Sequence, residues 1–326
     1  MAAGTLTGAL TGALTGALAG IPATHRETVA AALTACFGTA PIDAVTPMAV
    51  GASAGVILRL EVRGGSYLLR VEGPRSPLRY PDQYAALRLA AEHGLAPKVH
   101  HVDEPAGVVV TDFIEARALR DFPGGVPALV KAMGELLARL HAMPAAPPFT
   151  PYPEIVARLF AHVRRTSLFL PGLLDPHLDH LERIRAAYDW DPARSVACHN
   201  DCLPANVLFD GRRLWLIDWE SAYPNDPLID IAIQLDNLAN TPELGELLLC
   251  AWLGRSPDEA VRQRLAQARA LTRLYYAGVL LSASAAGPRG KPDDSLEVGD
   301  APMTPHMRGK LYLRGFLTGE AMPGLR

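Results

Sequence analysis

The chain has 326 residues, enough for one large domain or two lobes, and 49% of them are hydrophobic, enough for a sizeable core. A formal net charge of −3 gives no general attraction to nucleic acid or to an anionic membrane surface. The four cysteines, Cys36, Cys198, Cys202 and Cys250, include no C-x-x-C pair and no second ligand pair for zinc, so all four read as reduced thiols of a cytoplasmic protein.

Leu6 to Gly20 repeat Leu-Thr-Gly-Ala with a period of four. The stretch lacks a basic leading region and holds too many Gly and Thr to span a membrane. Residues 1–20 therefore read as a mobile low-complexity tail. Thr24–Phe37 carries apolar positions at helical spacing, with Thr24 as its cap. Val56–Val62 alternates as a half-buried strand does, Gly64-Gly65 marks a hairpin turn, and Tyr67–Val71 is the returning strand. The loop before the hairpin is Gly51-Ala52-Ser53-Ala54-Gly55. Small residues there let backbone N–H groups approach phosphate oxygens, although an ordinary turn explains the loop alone equally well.

Pro81–Glu92 reads as a helix closed by Gly94, and Gly107–Thr111 as a short buried strand. Strands dominate up to this point and helices beyond it. The lobe boundary is therefore expected at Ile114, giving lobes of 21–113 and 114–326. Val126–Ala142 is amphipathic, with Leu129, Met133, Leu136, Leu137 and Leu140 on one side. Pro144–Pro153 is a linker with five prolines. Helical patterns follow at 154–165 and 176–188, then at Asp230–Leu238, Pro242–Leu253 and Asp258–Ser284. Gly287–Pro305, rich in Gly, Pro and Asp, is expected to be a flexible loop.

The chemistry is concentrated between residues 199 and 220. His199-Asn200-Asp201-Cys202-Leu203-Pro204-Ala205-Asn206 reads His-x-Asp-x-x-x-x-Asn, the spacing of a kinase catalytic loop. In such a loop the Asp accepts the proton of the attacking hydroxyl and the Asn holds magnesium. The apolar run Leu214–Ile217 is a plausible buried strand that delivers Asp218, a second metal ligand, to the same cavity. A lone His-x-Asp would fit a solvated loop; four polar positions at these offsets do not.

These residues resemble those of the choline/ethanolamine kinase and aminoglycoside phosphotransferase superfamily of small-molecule kinases. His199-Asn200-Asp201 followed by Ile217-Asp218-Trp219-Glu220 is more similar to the choline kinase branch. The similarity runs from about Pro47 to about Ser284. The resemblance implies an α+β, two-lobed protein-kinase-like fold, with an N-terminal antiparallel sheet lobe and a larger helical C-terminal lobe. It implies transfer of the γ-phosphate of ATP, with Mg2+, to a hydroxyl of a small molecule. Asp201 would be the base, and Asn206 and Asp218 the metal ligands. Gly51, Ser53, Ala54 and Gly55 with Arg70 would hold phosphates, and Asp112 and Ile114 would lie in the hinge whose backbone pairs with adenine. Asp230 resembles a carboxylate that steadies the catalytic loop, and His141 and His199 read as structural.

Choline or a similar amino alcohol is the leading acceptor, because choline kinases hold a quaternary ammonium among aromatic rings beside acids. Glu220, Tyr223, Trp252, Tyr275 and Tyr276 are the candidates here, with Trp219 as a further ring. Two departures stand out. Gln83 occupies the place of the helix Glu that partners the strand cation, and the Trp-x-x-Trp of eukaryotic choline kinases is missing around Tyr275-Tyr276. An aminoglycoside, thiamine or other sugar-like alcohol is the alternative acceptor. An acid rim from Asp293, Asp294, Glu297 and Asp300 would suit an aminoglycoside. A nucleotide-binding pseudokinase is the alternative of another class. Neither a nucleic acid nor a membrane is an expected partner, and the oligomeric state is open.

Overall fold

The computed structural model describes residues 20–48, 55–73, 80, 82–145, 150–287, 290–298 and 303–319. The chain forms two compact units. One comprises the described residues up to Leu119 together with Val207–Ser221; the other comprises Arg120–Asn206 and Ala222 onward.

The first unit is built on a five-stranded antiparallel sheet: β1 (Ala44–Pro47), β2 (Val56–Val62), β3 (Gly65–Val71), β4 (Val99–Asp103) and β5 (Val108–Asp112), in spatial order β1-β2-β3-β5-β4. Val62 pairs with Gly65, so the two-residue turn is Arg63-Gly64, one position earlier than the glycine pair suggests. Both turn residues have positive φ, 52° and 76°, as a type I′ hairpin requires. Alternation sends Leu58, Leu60 and Val62 of β2, Leu69 and Val71 of β3, and Val108 and Val110 of β5 to one face. There they form a core with Val29, Ala32 and Leu33 of helix α1 (Arg26–Phe37). Arg70, between Leu69 and Val71, consequently points to the opposite face.

Helix α2 (Gln83–Glu92) and a hairpin of β6 (Val207–Phe209) and β7 (Leu214–Leu216) complete this unit. The hairpin is bonded to it through Leu216 N–H to Leu95 O, 2.8 Å, and Arg117 N–H to Phe209 O, 2.7 Å.

The second unit is helical: α3 (Gly125–His141), α4 (Tyr152–Arg165), α5 (Asp175–Ala187), α6 (Leu228–Asn237), α7 (Pro242–Leu253), α8 (Glu259–Ala285) and α9 (Pro305–Thr318). Glycines set the closest helix contacts. A Cβ on Gly134 would lie 2.7 Å from Leu248 O, bringing α3 against α7, and one on Gly278 would lie 2.6 Å from Leu159, bringing α8 against α4. Asp258 caps α8 by accepting from Val261 N–H, 3.0 Å. Among the described residues no helix is long and apolar enough to cross a membrane.

The flexible loop expected over Gly287–Pro305 is corrected for residues 290–298. Asp293 exchanges backbone bonds with Leu168 and Leu170, each 2.8 Å. Its carboxylate accepts from Lys310, 2.9 Å, and lies 2.7 Å from His306. Glu297 pairs with Arg314 at 3.6 Å. Side chains of α9, a helix that the sequence reading did not anticipate, thus engage Asp293 and Glu297. The repeat residues 6–19 lie outside the described residues.

Candidate active site

In the helical unit the loop from Cys198 to Asn206 is organised around one buried carboxylate. Asp230, in the first turn of α6, is 0% exposed. It accepts the backbone N–H of His199, 2.9 Å, and of Asn200, 2.7 Å. Its third partner is His141 Nε2 at 3.1 Å. An indole N–H only donates, and Trp252 Nε1 donates to His141 Nδ1 at 2.9 Å. Nδ1 therefore accepts, and the Nε2–H faces Asp230. Burial alone would raise the Asp230 pKa, but the bonds from His141 and the loop backbone outweigh it and hold the pKa below the usual carboxylate range.

Asn200 takes φ of 59°, a left-handed conformation that costs a non-glycine residue free energy. Its side chain is locked in return. Nδ2 donates to Tyr223 O at 2.9 Å, and Oδ1 accepts from Asn225 at 2.8 Å. The Cys198 and Cys202 thiols flank this network, and burial pushes both pKa values well up.

The loop so held presents Asp201 and Asn206. Asn206 Nδ2 donates to Asp201 O at 2.8 Å and to Asp201 Oδ2 at 2.9 Å. Those bonds fix the amide orientation and leave its oxygen, a hard ligand atom, outside this pairing. Asp201 Oδ1 accepts from the Tyr276 phenol at 2.8 Å. Tyr276 belongs to a tyrosine cluster: its ring meets Tyr275 edge-on at 5.6 Å and stacks on Tyr312 at 5.6 Å, while Tyr275 lies 5.5 Å from Tyr152. Burial first, and then the nearby Asp201 charge, pushes the Tyr276 phenol well above its ordinary pKa, so it stays a proton donor.

The sheet unit carries the cation. Arg70 of β3 donates to Asp218 Oδ1 at 2.7 Å and to Glu220 Oε2 at 3.5 Å. Burial would disfavour the guanidinium charge, but Asp218, Glu220 and Glu72 more than offset it and raise the pKa. Asp218, just past β7, has φ of 65° and is followed by a short 3-10 turn, Trp219–Ser221. Gln83 does not replace the expected helix acid at Arg70: its amide donates to both oxygens of Glu72 at 3.1 Å, and Tyr84 donates to Glu72 at 2.5 Å. The counter-charge of Arg70 comes from Asp218 and Glu220 instead.

Within the helical unit the fold thus brings together Asp201, Asn206, Tyr276 and its neighbour Tyr275. Tyr223 is buried at 7% exposure, and the Trp252 indole is engaged by His141. In the sheet unit Arg70, Asp218 and Glu220 come together, and the Trp219 indole bonds Leu216 O at 3.1 Å. At the segment expected to be the hinge, Asp112 N–H is taken by Lys98 O at 2.9 Å and Phe113 N–H by Ser66 O at 3.0 Å. Gly51, Ser53 and Ala54 lie outside the described residues. Gly55 is described, and a Cβ there would stand 2.7 Å from Val71 O. Tyr152 and Tyr312 were not picked out from the sequence; they lie far along the chain from the loop, and no local motif marks them.

Comparison with known proteins follows the same lines. The model of the phosphotransferase enzyme family (APH) matches residues 44–277. Protein LicA of Haemophilus influenzae is 26% identical over 198 residues, covering 56% of this chain and 73% of that protein. A second Haemophilus influenzae LicA matches equally but is covered over only 58% of its length. Among solved structures, a choline/ethanolamine kinase family protein from Mesorhizobium loti superposes with a TM-score of 0.63 at 23% identity, covering 88% of this chain and 98% of its own. The choline kinase LicA from Streptococcus pneumoniae does so with a TM-score of 0.64 at 18% identity, covering 91% and 100%. These structures share the two-unit, sheet-and-helix kinase-like fold. The family match spans well over half of the chain and takes in residues 199–206, Arg70 and Asp218: this chain belongs to the phosphotransferase enzyme family.

Proposed function

We propose that this phosphotransferase moves the γ-phosphate of ATP to the hydroxyl of a small amino alcohol, with choline the leading candidate. The observation that carries the reading is Asp201, held on one oxygen by Asn206 and on the other by Tyr276, beside a cluster of tyrosine rings. An ionised carboxylate fixed in this way is suited to take the proton of an acceptor hydroxyl. Aromatic faces beside a negative charge suit an ammonium group on the same acceptor.

ATP enters as a substrate. Arg70 would bind its phosphate oxygens with a planar fork, aided by the small-residue loop ending at Gly55. Asn206 Oδ1 and the Asp218 carboxylate are each hard oxygen donors of the kind magnesium takes and would be its ligands; the ion would neutralise charge on the phosphates. Ile114 would serve the adenine edge better than Asp112, whose N–H is engaged within the sheet. The names of the similar solved structures, choline and ethanolamine kinases, favour the same acceptor class.

Two alternatives fare less well. The acid rim that would suit an aminoglycoside is partly neutralised, since Asp293 is bonded to Lys310 and Glu297 pairs with Arg314. A pseudokinase has no need of a carboxylate oriented from both sides.

The test combines a thermal shift with Mg-ATP and ADP release across a panel of amino alcohols, thiamine and aminoglycosides. Release is expected with amino alcohols and is lost in Asp201→Asn, which still gives the thermal shift. Asp201→Asn with wild-type turnover would refute the base assignment, and release with aminoglycosides alone would refute the acceptor class.

A further inference from the structure

We propose that Tyr276 is a positioning residue for the reaction: its phenolic O–H, donating to Asp201 Oδ1, fixes the plane in which that carboxylate meets the acceptor hydroxyl. The inference rests on the assignment of Asp201 as the base. The terminal torsion of an aspartate is broad, so the backbone of the loop does not by itself set the carboxylate plane. Two donors on different oxygens do set it. Asn206, five residues along the same loop, holds Oδ2 at 2.9 Å and also the Asp201 carbonyl at 2.8 Å. Tyr276, on α8 and 75 residues away, holds Oδ1 at 2.8 Å.

The donor is itself immobilised. Tyr276 is 9% exposed, with its ring stacked on Tyr312 of α9 and edge-on to Tyr275. The two helices approach closely behind the stack, where a Cβ on Gly309 would come within 2.8 Å of Leu281. An ionised carboxylate only accepts hydrogen bonds, so the phenol must be the donor. The ring thereby has a role apart from any contact with an ammonium group. It transmits the packing of α8 and α9 to the orientation of the base.

Tyr276→Phe keeps the ring and removes the O–H. The expected result is a fall in kcat on the order of tenfold, with the acceptor KM and Mg-ATP affinity unchanged. Crystal structures of wild type and Tyr276→Phe should show one carboxylate plane for Asp201 in the first and a rotated or split carboxylate in the second. Full kcat in Tyr276→Phe, or a raised acceptor KM with kcat unchanged, overturns the proposal. If the wild type transfers phosphate to no acceptor, the functional reading has failed. The two crystal structures still decide the role of the phenol, and an unmoved Asp201 carboxylate in the variant overturns it.

Discussion

Asp230 keeps a negative charge at 0% exposure because two backbone N–H groups and the His141 ring meet its two oxygens. Its folded pKa lies below the usual value, so the stabilisation it gives is complete above the unfolded pKa of about 4 and is lost as pH falls through the folded value. Asp230→Asn puts an NH2 where a loop N–H needs an acceptor. At neutral pH it is expected to lower stability by about 3 kcal/mol in urea unfolding and to flatten the loss of stability below pH 4. His177 acts in a different window. It is 1% exposed, its Nε2–H donates to Leu313 O at 3.2 Å, and among the described residues its Nδ1 has no hydrogen-bond partner. Burial depresses its pKa to about 4, partly opposed by that bond. The unfolded chain therefore binds a proton that the folded one refuses, and stability falls as pH drops from about 6.5 to 4. His177→Gln keeps an N–H donor without titrating. Comparison of urea midpoints at pH 7 and pH 4.5 should show a smaller drop than in wild type, by on the order of 2–3 kcal/mol; an equal drop would remove His177 as its source.

At the scale of elements, the helical unit depends on glycines that admit a neighbouring backbone. Gly134→Ala would force a methyl to 2.7 Å from Leu248 O and 2.8 Å from the Ala251 methyl. Despite the better helix propensity of alanine, it is expected to destabilise by about 1–3 kcal/mol in thermal or urea unfolding. A gain in stability would show that α3 and α7 are not in such close contact. The sheet and the longer amphipathic helices were legible because their patterns are local and periodic. Leu129, Met133, Leu136, Leu137 and Leu140 recur on the buried side of α3. Helix α9 carried readable signals, with Thr304 as cap, Pro305 at the first turn and Gly319 at the end with φ of 71°. They were masked by the Gly/Pro/Asp-rich stretch before them. That stretch was misread because the partners of Asp293, Lys310 and His306, belong to the helix that was missed.

Over the whole molecule, the residues proposed for the reaction fall in both units. The carboxylate that would take the proton and its tyrosine neighbours belong to the helical unit, and the cation that would hold phosphate, with Asp218 and Glu220, belongs to the sheet unit. Asp201 and Asn206 were legible because they are five residues apart in one motif. The bond from Tyr276 to Asp201 joins residues 75 apart, and that from Arg70 to Asp218 joins residues 148 apart. No local pattern encodes either pairing, and the expected partner of Arg70 was sought on α2, where Gln83 stands. In the proposed reaction phosphate passes to an amino alcohol with Asp201 as the base. The most direct measurement is 31P NMR of the full chain incubated with Mg-ATP and choline or ethanolamine. The expected spectrum shows a new phosphomonoester rising in step with ADP, absent when Asp201→Asn replaces wild type. Inorganic phosphate as the sole product, or the same phosphomonoester from Asp201→Asn at the wild-type rate, would contradict it.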